Sequence, residues 1–380
     1  MNFELTEEQK MVRETVRDFA AAEIKPGVMD RDEKAEFPGA IIKKLGTLGF
    51  MGMQVPEIYG GTEMDAVSHV ITLEEIARVD ASTCVIMSVN NSLFSNPILQ
   101  FGSEYLKHKY LPLTSSGEKL GAYSLSEPQS GSDAKAMLTT ATRDGDSYLL
   151  NGVKNWVTSG ISSDFVIVFA KTDKEAGHRG ISAFVVEKGL TGFTTGKKED
   201  KLGIRGSDTS ELIFENCRIP GANLIGKEGE GFKIAMATLD VGRIGIGAQA
   251  LGIAQGALDR SVKYAKERQQ FGKPIGMFQG IGFKLADMAT RVDASRLLVY
   301  RAAWLKDQGK TIGEKASMAK MFAADTAMYV TTEAVQIHGG YGFIREFEVE
   351  RMMRDAKITQ IYEGTNEIQR LVISRHLLAE

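Results

Sequence analysis

The sequence MMRDAKITQIYEGTNEIQR, residues 352–370, joins two amphipathic segments at the turn Tyr362-Glu363-Gly364-Thr365. A glycine directly after a carboxylate indicates a break, where the backbone can turn and approach a ligand closely. Thr365, with Glu367 and an apolar run behind it, predicts the start of a last helix. If the Glu363 carboxylate were buried among apolar groups, its pKa would rise and it could serve as a general base. On residue type alone, a surface glutamate in a turn is the better interpretation, so the rest of the chain has to decide.

Long amphipathic helices are predicted around this turn. Apolar residues recur at helical spacing in four segments, and four such segments indicate a bundle: Phe232–Arg268, Phe278–Asp307, Glu314–Ile337 and Thr365–Leu378. The first segment holds glycines at positions 242, 245, 247, 252 and 256. Each costs roughly 0.5–1 kcal/mol relative to alanine in a helix, so the cluster needs an explanation. Close helix packing explains most of these positions, and a ligand chain lying against the helix is the alternative for Gly242 and Gly245.

A dinucleotide-binding fold is excluded by context. Gly245-Ile-Gly247-Ala-Gln-Ala250 resembles the start of a dinucleotide fingerprint. It lies inside a helical pattern and has no strand before it, and without a strand–turn–helix context the match is weak.

The other parts of the chain predict a helical region followed by a β region. A capping box at Thr6-Glu7-Glu8-Gln9 begins the first helix, and further helical patterns cover Ile41–Leu48, Val67–Arg78, Ser92–Phe101 and Glu104–Leu111. From Gly121 short apolar runs alternate with turn clusters, which is typical of strands: Tyr148–Leu150, Phe165–Ala170, Ile181–Val186 and Glu211–Phe214. We therefore expect an α+β protein with a helical domain at 1–120, a β domain at 121–225 and a helical bundle at 226–380.

Composition excludes several classes of function. The 380 residues are 43% hydrophobic and 25% charged, with a net charge of −3, which is ordinary for a globular protein. No basic run is interleaved with aromatic residues, so nucleic acid is not expected as a partner. No segment is long and apolar enough to predict membrane insertion. The five histidines form no metal-binding pair, and Cys84 and Cys217 match no metal spacing, so we expect no metal and two buried cysteines.

Two stretches of the β region could bind a ligand. The loop 125–133, LSEPQSGSD, offers hydroxyls and free backbone N–H groups that could bind a phosphate or the edge of a heterocycle. An ordinary Ser/Gly turn has the same composition. In Asn155-Trp156-Val157-Thr158 the indole could cover a planar cofactor and the threonine could hydrogen-bond to it, although Trp156 could equally be part of the β-domain core.

Taken together, these motifs resemble the acyl-CoA dehydrogenases, specifically their short-chain (butyryl-CoA) branch. The resemblance covers essentially the whole chain and rests on the following motifs in this order: LSEPQSGSD (125–133), NGVKNWVTSG (151–160), KKEDKLGIRGSDT (197–209), TLDVGRIGIGAQALGIAQ (238–255), ERQQFGKP (267–274), QIHGGYGF (336–343) and IYEGTNEIQR (361–370). It implies the fold of that family: a helical N-terminal domain, a middle β-barrel-like domain and a C-terminal four-helix bundle. Ser124 and Gln129 replace commoner family choices, but they lie outside the matched hydroxyl positions.

The resemblance also implies a non-covalently bound FAD and a homotetramer. Residues that match the wall around the flavin ring are Tyr123, Leu125, Ser126, Gly131, Ser132, Trp156, Val157 and Thr158, with Ser126 and Thr158 near the reactive N5 edge. Residues that match contacts to the FAD of a neighbouring subunit are Arg268, Phe271, Gln279, Gln336, Ile337, Gly339 and Gly340. Thr365, Asn366 and Glu367 match the adenosine-side contacts, and Ser132, Asp240, Arg243 and Gly364 match acyl-CoA contacts.

Glu363 then becomes the candidate catalytic base. Some relatives, such as isovaleryl-CoA dehydrogenases, carry their base on the first helix of the C-terminal domain, where this chain has Gly242. Glutaryl-CoA dehydrogenases carry an arginine for the distal carboxylate of their substrate. The matching segment here, residues 81–93, has no Arg or Lys, which disfavours a dicarboxylyl substrate.

The expected activity is oxidation of a short acyl-CoA to the trans-2-enoyl-CoA, with electrons passed to electron-transfer flavoprotein. A branched-chain or cyclic acyl-CoA dehydrogenase and an acyl-CoA oxidase that uses oxygen remain alternatives, as does a flavin-less protein that kept the fold. The N-terminal stretch MNFELTEEQKMV has no targeting character, which favours a bacterial cytoplasmic protein. A processed mitochondrial matrix chain would look the same.

Overall fold

The structure, a computed structural model, describes residues 4–378, so Met1 to Phe3 of the opening stretch and the last two residues lie outside it. The chain begins with helices: α1 (Glu7–Phe19), α2 (Val28–Lys34), α3 (Gly39–Thr47), α4 (Ala66–Ala77), α5 (Ala81–Ser88), α6 (Asn96–Phe101) and α7 (Glu104–Ser115). The capping box at the start of α1 is confirmed, since the Thr6 hydroxyl accepts from Gln9 N at 3.2 Å and the Gln9 amide oxygen accepts from Thr6 N at 3.1 Å.

One predicted helix differs from the structure. A separate helix was expected over Ser92–Phe101, but α5 continues into α6 through a π-helical turn at Val89–Ser95. Asn90, which lies in this turn, is fully buried, and its side chain contacts other segments of the chain. The Asn90 amide donates to Met51 O at 2.9 Å and to Thr114 O at 3.1 Å. This segment is therefore tied to α7 and to the chain before α4.

The middle region is one eight-stranded sheet. Its strands are β1 (Gly121–Ser124), β2 (Thr140–Asp144), β3 (Ser147–Thr158), β4 (Phe165–Lys171), β5 (Ile181–Glu187), β6 (Phe193–Lys198), β7 (Thr209–Pro220) and β8 (Leu224–Ile225). The order is β6-β7-β3-β2-β4-β5-β8, with β1 parallel to β4. Strands β4 and β5 are buried along almost their whole length, which explains their continuous apolar runs.

Helices return after the sheet: α8 (Gly231–Glu267), α9 (Gln279–Asp307), α10 (Gly313–His338), α11 (Val349–Thr359) and α12 (Asn366–Leu378), with a short hairpin of β9 (Gln269–Gln270) and β10 (Lys273–Pro274) between α8 and α9. Glycines on α8 permit close packing, as expected. A Cβ at Gly252 or Gly256 would overlap the backbone carbonyl of Glu74 or Arg78 at the end of α4. The α+β class is confirmed. Within residues 4–378, no helix has the length and apolar character needed to cross a membrane.

Candidate active site

Glu363 lies in the turn between α11 and α12, and the backbone of this turn is left-handed. The φ angles are +51° at Glu363 and +91° at Gly364. A non-glycine residue adopts this region at a cost, and such residues cluster at functional sites. Thr365 ends the turn, because its hydroxyl accepts from Ile368 N at 3.3 Å in the first turn of α12.

The Glu363 carboxylate faces α8. One of its oxygens, Oε2, is buried and has no hydrogen-bond partner among the described residues. A Cβ on Gly242 would overlap this oxygen and would lie 2.8 Å from Leu93 Cδ2. The missing side chain at Gly242 therefore makes the space that the carboxylate occupies. Burial raises the pKa of Glu363 to about 7, although Lys320 and Arg243 oppose the shift.

Two cations and a phenol lie close enough to act on this carboxylate. Arg243, which follows Gly242 on α8, is 5% exposed and donates to Asp240 Oδ1 at 2.5 Å. The Tyr123 hydroxyl on β1 is buried and has no hydrogen-bond partner within residues 4–378, and burial together with the Glu363 charge raises its pKa well above the ordinary value. Lys320 on α10 is fully buried beneath the turn. Of the predicted site residues, the structure thus brings Glu363, Gly364, Tyr123, Asp240 and Arg243 into one region.

The sequence reasoning missed Lys320, which lies in the alanine-rich stretch ASMAKMFAA, residues 316–324. A lysine at a helical position flanked by core alanines was an available signal, since a charge at such a position requires partners. Gln249 was also missed. It accepts a hydrogen bond from the Tyr362 hydroxyl and donates to Ala81 O at 2.9 Å, which ties the turn to α5.

The loop 125–133 is held by a buried ion pair. Lys154 Nζ on β3 donates to Glu127 Oε1 at 2.9 Å and to Leu125 O at 3.1 Å. The Glu127 carboxylate also accepts from the backbone N–H groups of Leu138 and Thr139. These contacts fix the middle of the loop and leave Gly131 and Ser132 exposed. The loop is therefore more than an ordinary surface turn.

Trp156 is turned out of the sheet by a bulge. The pairing of β3 with β7 shifts register between Lys154 and Val157, and Trp156 has φ +60°. Bulges re-aim side chains in this way. The indole is 61% exposed, so the alternative that Trp156 belongs to the β-domain core is wrong, while Val157 is buried and Thr158 is partly buried. An exposed indole beside an ordered loop and partly exposed Leu125 and Ser126 fits the face of a flavin.

The C-terminal candidates fall into two further places. A cavity of about 440 Å³ brings together the predicted residues Arg268, Ile337, Gly339 and Gly340, and the Arg268 guanidinium lies 5.3 Å from the centre of the Tyr341 ring. A second cavity, of about 330 Å³, brings together Thr365, Asn366 and Glu367 with Asp325 and Arg370. Phe271, Gln279 and Gln336 are exposed and line neither cavity.

Both cysteines are free and buried, as predicted. Across residues 4–378 no group of His, Cys, Asp and Glu side chains is arranged to hold a metal ion.

Comparison with known proteins assigns the whole chain to one family. Residues 6–118, 122–217 and 229–378 match the N-terminal, middle and C-terminal domains of acyl-CoA dehydrogenase. An acyl-CoA dehydrogenase of Bacillus subtilis is 56% identical, and the match covers 98% of this chain and 99% of the relative. The mitochondrial short-chain specific acyl-CoA dehydrogenase of Mus musculus is 52% identical, over 99% of this chain and 91% of the relative.

Solved structures agree with this assignment. Butyryl-CoA dehydrogenase from Megasphaera elsdenii has a TM-score of 0.98 at 50% identity and covers 100% of both chains. A chain in a structure described as the electron transferring flavoprotein of Acidaminococcus fermentans has a TM-score of 0.99 at 53% identity and also covers 100% of both chains.

The chain belongs to the acyl-CoA dehydrogenase family. Within the family it lies in the short-chain branch, and it is a flavoprotein oxidoreductase whose cofactor is FAD. The predicted family, fold, enzyme class and cofactor are thereby confirmed.

Proposed function

We propose that this enzyme oxidises a short saturated acyl-CoA, such as butyryl-CoA, to the trans-2-enoyl-CoA, with Glu363 as the base. The observation that carries the proposal is the buried, unpartnered Oε2 of Glu363 in the space left by Gly242. A carboxylate with an unsatisfied oxygen and a pKa raised by burial is suited to accept a proton near neutral pH.

The chemistry requires that two C–H bonds be broken together. The α-proton of a thioester is weakly acidic, so its removal needs a positioned base and donors for the developing oxyanion. Glu363 Oε2 takes the α-proton. The flavin ring held by the loop 125–133 and by residues 156–158 would supply the acceptor for the hydride from the β-carbon. We assign the backbone N–H of Glu363 as a donor to the thioester oxygen, because the left-handed turn leaves that N–H without a backbone partner among the described residues.

The remaining site residues receive binding roles in the proposal. Leu125, Ser126, Trp156, Val157 and Thr158 would form the wall for the flavin ring, with Tyr123, Gly131 and Ser132 at its edge. Ser132, Asp240, Arg243 and Gly364 would contact the acyl-CoA. The two C-terminal cavities would hold parts of FAD, the larger one from a neighbouring subunit of a homotetramer.

Electron-transfer flavoprotein is the proposed electron acceptor. A chain that is 53% identical to this one occurs in a structure whose description names an electron transferring flavoprotein, which supports the proposal. Bacterial and mitochondrial relatives both exist, so the bacterial cytoplasm and the mitochondrial matrix are the two compartments we propose.

Anaerobic reduction of the bound flavin tests the proposal. We expect butyryl-CoA to bleach the yellow enzyme faster than longer, branched or cyclic acyl-CoAs do. Glu363→Gln should keep FAD and lose bleaching by at least about a thousandfold, because the amide cannot accept the proton. Retained bleaching in this variant would remove Glu363 from the mechanism, and faster bleaching by branched or long chains would reject the short-chain substrate. Rapid reoxidation of the product-bound enzyme by air would favour the oxidase alternative.

A further inference from the structure

Two buried side chains donate hydrogen bonds to the turn that carries Glu363. Lys320 Nζ donates to Gly364 O at 2.8 Å and to Asn366 Oδ1 at 3.0 Å. Gln369 Nε2 donates to Gly364 O at 2.8 Å and to Glu363 O at 3.3 Å. Both side chains are 0% exposed. The left-handed backbone of the turn is therefore fixed through its carbonyl oxygens, while its carboxylate points to α8.

A buried lysine is an energetically unfavourable donor to the carbonyl oxygens of this turn. Burying an ammonium group costs several kcal/mol unless charges and hydrogen bonds compensate. Within residues 4–378, no carboxylate forms an ion pair with Lys320 at 4.0 Å or less. Its hydrogen bonds go to neutral oxygens, and the strongest electrostatic attraction on it comes from Glu363. A neutral donor would satisfy the same oxygens, so the charge itself needs a reason.

We propose that Lys320 is the positioning residue for the catalytic base: its ammonium group fixes the backbone of the turn through Gly364 and acts with its charge on the Glu363 carboxylate. The inference rests on the proposed role of Glu363 as the base. It assigns a second function to α10, which otherwise serves as a core helix of the bundle.

The charge acts in a defined surrounding. Three groups from other elements interact with Glu363: Lys320 on α10, Arg243 on α8 and Tyr123 on β1. Tyr362 precedes Glu363 in the sequence and also interacts with it. Burial, together with the charge of Arg243, lowers the pKa of Lys320 to about 7. The charges of Glu363, of Asp325 on α10 and of Glu367 on α12 oppose this, so the Glu363 carboxylate is the main group that keeps Lys320 in its ammonium form.

These groups determine in which direction the pKa of Glu363 changes when the charge of Lys320 is removed. Burial raises the pKa of Glu363, and the positive charge of Lys320 is the largest opposing effect. Removing that charge should move the pKa of Glu363 further up. The base would then be protonated over more of the working pH range.

Three substitutions separate charge from geometry. Lys320→Met removes charge and donor, Lys320→Gln removes the charge and keeps a donor, and Gln369→Leu removes a neutral donor to the same carbonyl. Lys306→Met on α9 is the matched control, because burial also lowers the pKa of Lys306, but the carboxylate that acts on Lys306 is Asp307 rather than Glu363. All four are measured as FAD-bound enzymes, next to Glu363→Gln.

Two readouts are needed: the pH dependence of flavin reduction by butyryl-CoA under anaerobic conditions, and the infrared C=O band of protonated Glu363 without substrate. The band is identified by its loss in Glu363→Gln. In both Lys320 variants we expect the midpoint of both curves to rise by about one pH unit and reduction at pH 7 to slow by about fivefold, because the deprotonated fraction of a base with a pKa of about 7 falls by that factor. Gln369→Leu should slow reduction without moving either midpoint, and Lys306→Met should match the wild type.

Each outcome decides between the two proposals. If Glu363→Gln is inactive but the midpoints of both Lys320 variants match the wild type, the positioning role is rejected and the base survives. If Gln369→Leu moves the midpoints as far as Lys320→Gln does, the charge of Lys320 is not the cause and the inference also fails. If Glu363→Gln still reduces its flavin, the proposed function itself fails.

Discussion

At the scale of single residues, the site depends on a side chain that is absent. Gly242 leaves the space in which Glu363 Oε2 lies, although the two residues are more than a hundred positions apart in the sequence. The conformational freedom of glycine is not used here, because Gly242 lies within the regular helix α8. Its role is to allow close approach.

Gly242→Ala should therefore impair catalysis more than folding. The new Cβ would overlap the Glu363 carboxylate and force it to rotate, while alanine itself favours the helix by roughly 0.5–1 kcal/mol. We expect flavin reduction to slow by about a hundredfold, as for an approximately 1 Å misplacement of a reacting group, with FAD content unchanged.

The comparison for that variant is Gly245→Ala, one turn along α8. Its Cβ would meet the Ser88 hydroxyl at 2.7 Å, and in the described part of the chain this hydroxyl has no hydrogen-bond partner that prevents its rotation. Equal losses in the two variants would show that any methyl group on this face is harmful and that displacement of Glu363 is not the cause.

The raised pKa of Glu363 also predicts how stability depends on pH. Because the folded pKa, about 7, lies above the ordinary value of 4.5, the unfolded state loses its proton first as the pH rises. The loss of folding free energy caused by burying the charged Glu363 carboxylate is absent below pH 4.5 and reaches its full size above pH 7. Glu363→Gln should thus match the wild type at about pH 4.5 and exceed it by up to about 3 kcal/mol at about pH 9. Thermal unfolding of the two FAD-bound proteins at both pH values measures this, and a difference that does not change with pH would contradict it.

The sequence could identify Glu363 but not its surroundings. A carboxylate before a glycine, together with the family motifs, was enough to select the residue. Lys320 remained hidden because helical periodicity marks the buried face of α10 without saying which loop covers it. The contacts between Lys320 and Gly364 arise only when α10 packs beneath the turn.

At the scale of elements, the Lys154–Glu127 pair joins the loop 125–133 to β3. The Lys154 side chain is fully buried and that of Glu127 nearly so. Burial raises the pKa of the Glu127 carboxyl, but Lys154 and the backbone donors outweigh this and hold its pKa at about 2. The pair therefore remains ionised at neutral pH. Each charge offsets the free-energy cost of burying the other.

Lys154→Met should destabilise the protein by about 3–5 kcal/mol, because it leaves the Glu127 charge buried without its cation. We also expect weaker FAD retention, since the loop loses its link to β3. Adding Glu127→Gln should recover part of the stability, because the uncompensated charge is gone. Thermal unfolding and the flavin content after gel filtration measure both effects. A double variant less stable than Lys154→Met would mean that the ion pair is not the dominant contact.

Helices and strands were predictable from the sequence where they are long and where local interactions define them. The helices α8, α9 and α10 lie within a residue or two of their predicted bounds, because apolar spacing and hydrogen bonding are both local in a helix. The strands β1, β2, β6 and β8 were not predicted. They are short, and β1 acquires its strand character by parallel pairing with β4, which the local pattern cannot reveal. The domain boundaries after residues 120 and 225 stay predictions.

At the scale of the whole molecule, the C-terminal region exposes apolar side chains that a single chain leaves uncovered. Phe271 is 93% exposed at the tip of the β9–β10 hairpin, and Phe343, which precedes the cavity-lining Ile344 in the sequence, is 84% exposed. Covering a phenylalanine contributes roughly 1.5–3 kcal/mol, so such residues indicate an interface. This agrees with the proposed homotetramer.

Phe271→Asp should therefore weaken assembly while the chain still folds. Phe271 has φ +52°, a conformation that aspartate tolerates better than most residues do, and its ring contacts Phe278 only edge-on at 6.0 Å. A charge at this position would have to be desolvated when a second chain covers the hairpin. We expect sedimentation at micromolar concentration to show species smaller than those of the wild type, together with loss of FAD on dilution.

Ile58→Asp is the matched control, since Ile58 is 74% exposed in the N-terminal region. If both variants sediment like the wild type, the hairpin does not lie in an interface. If Phe271→Asp dissociates but retains FAD on dilution, the tetramer stands and the proposal that the larger cavity binds the FAD of a neighbouring subunit fails. Phe271 also matches a contact to the FAD of a neighbouring subunit, so FAD loss supports the proposal for the larger cavity only where Arg268→Ala, which changes a residue lining that cavity, loses FAD as well.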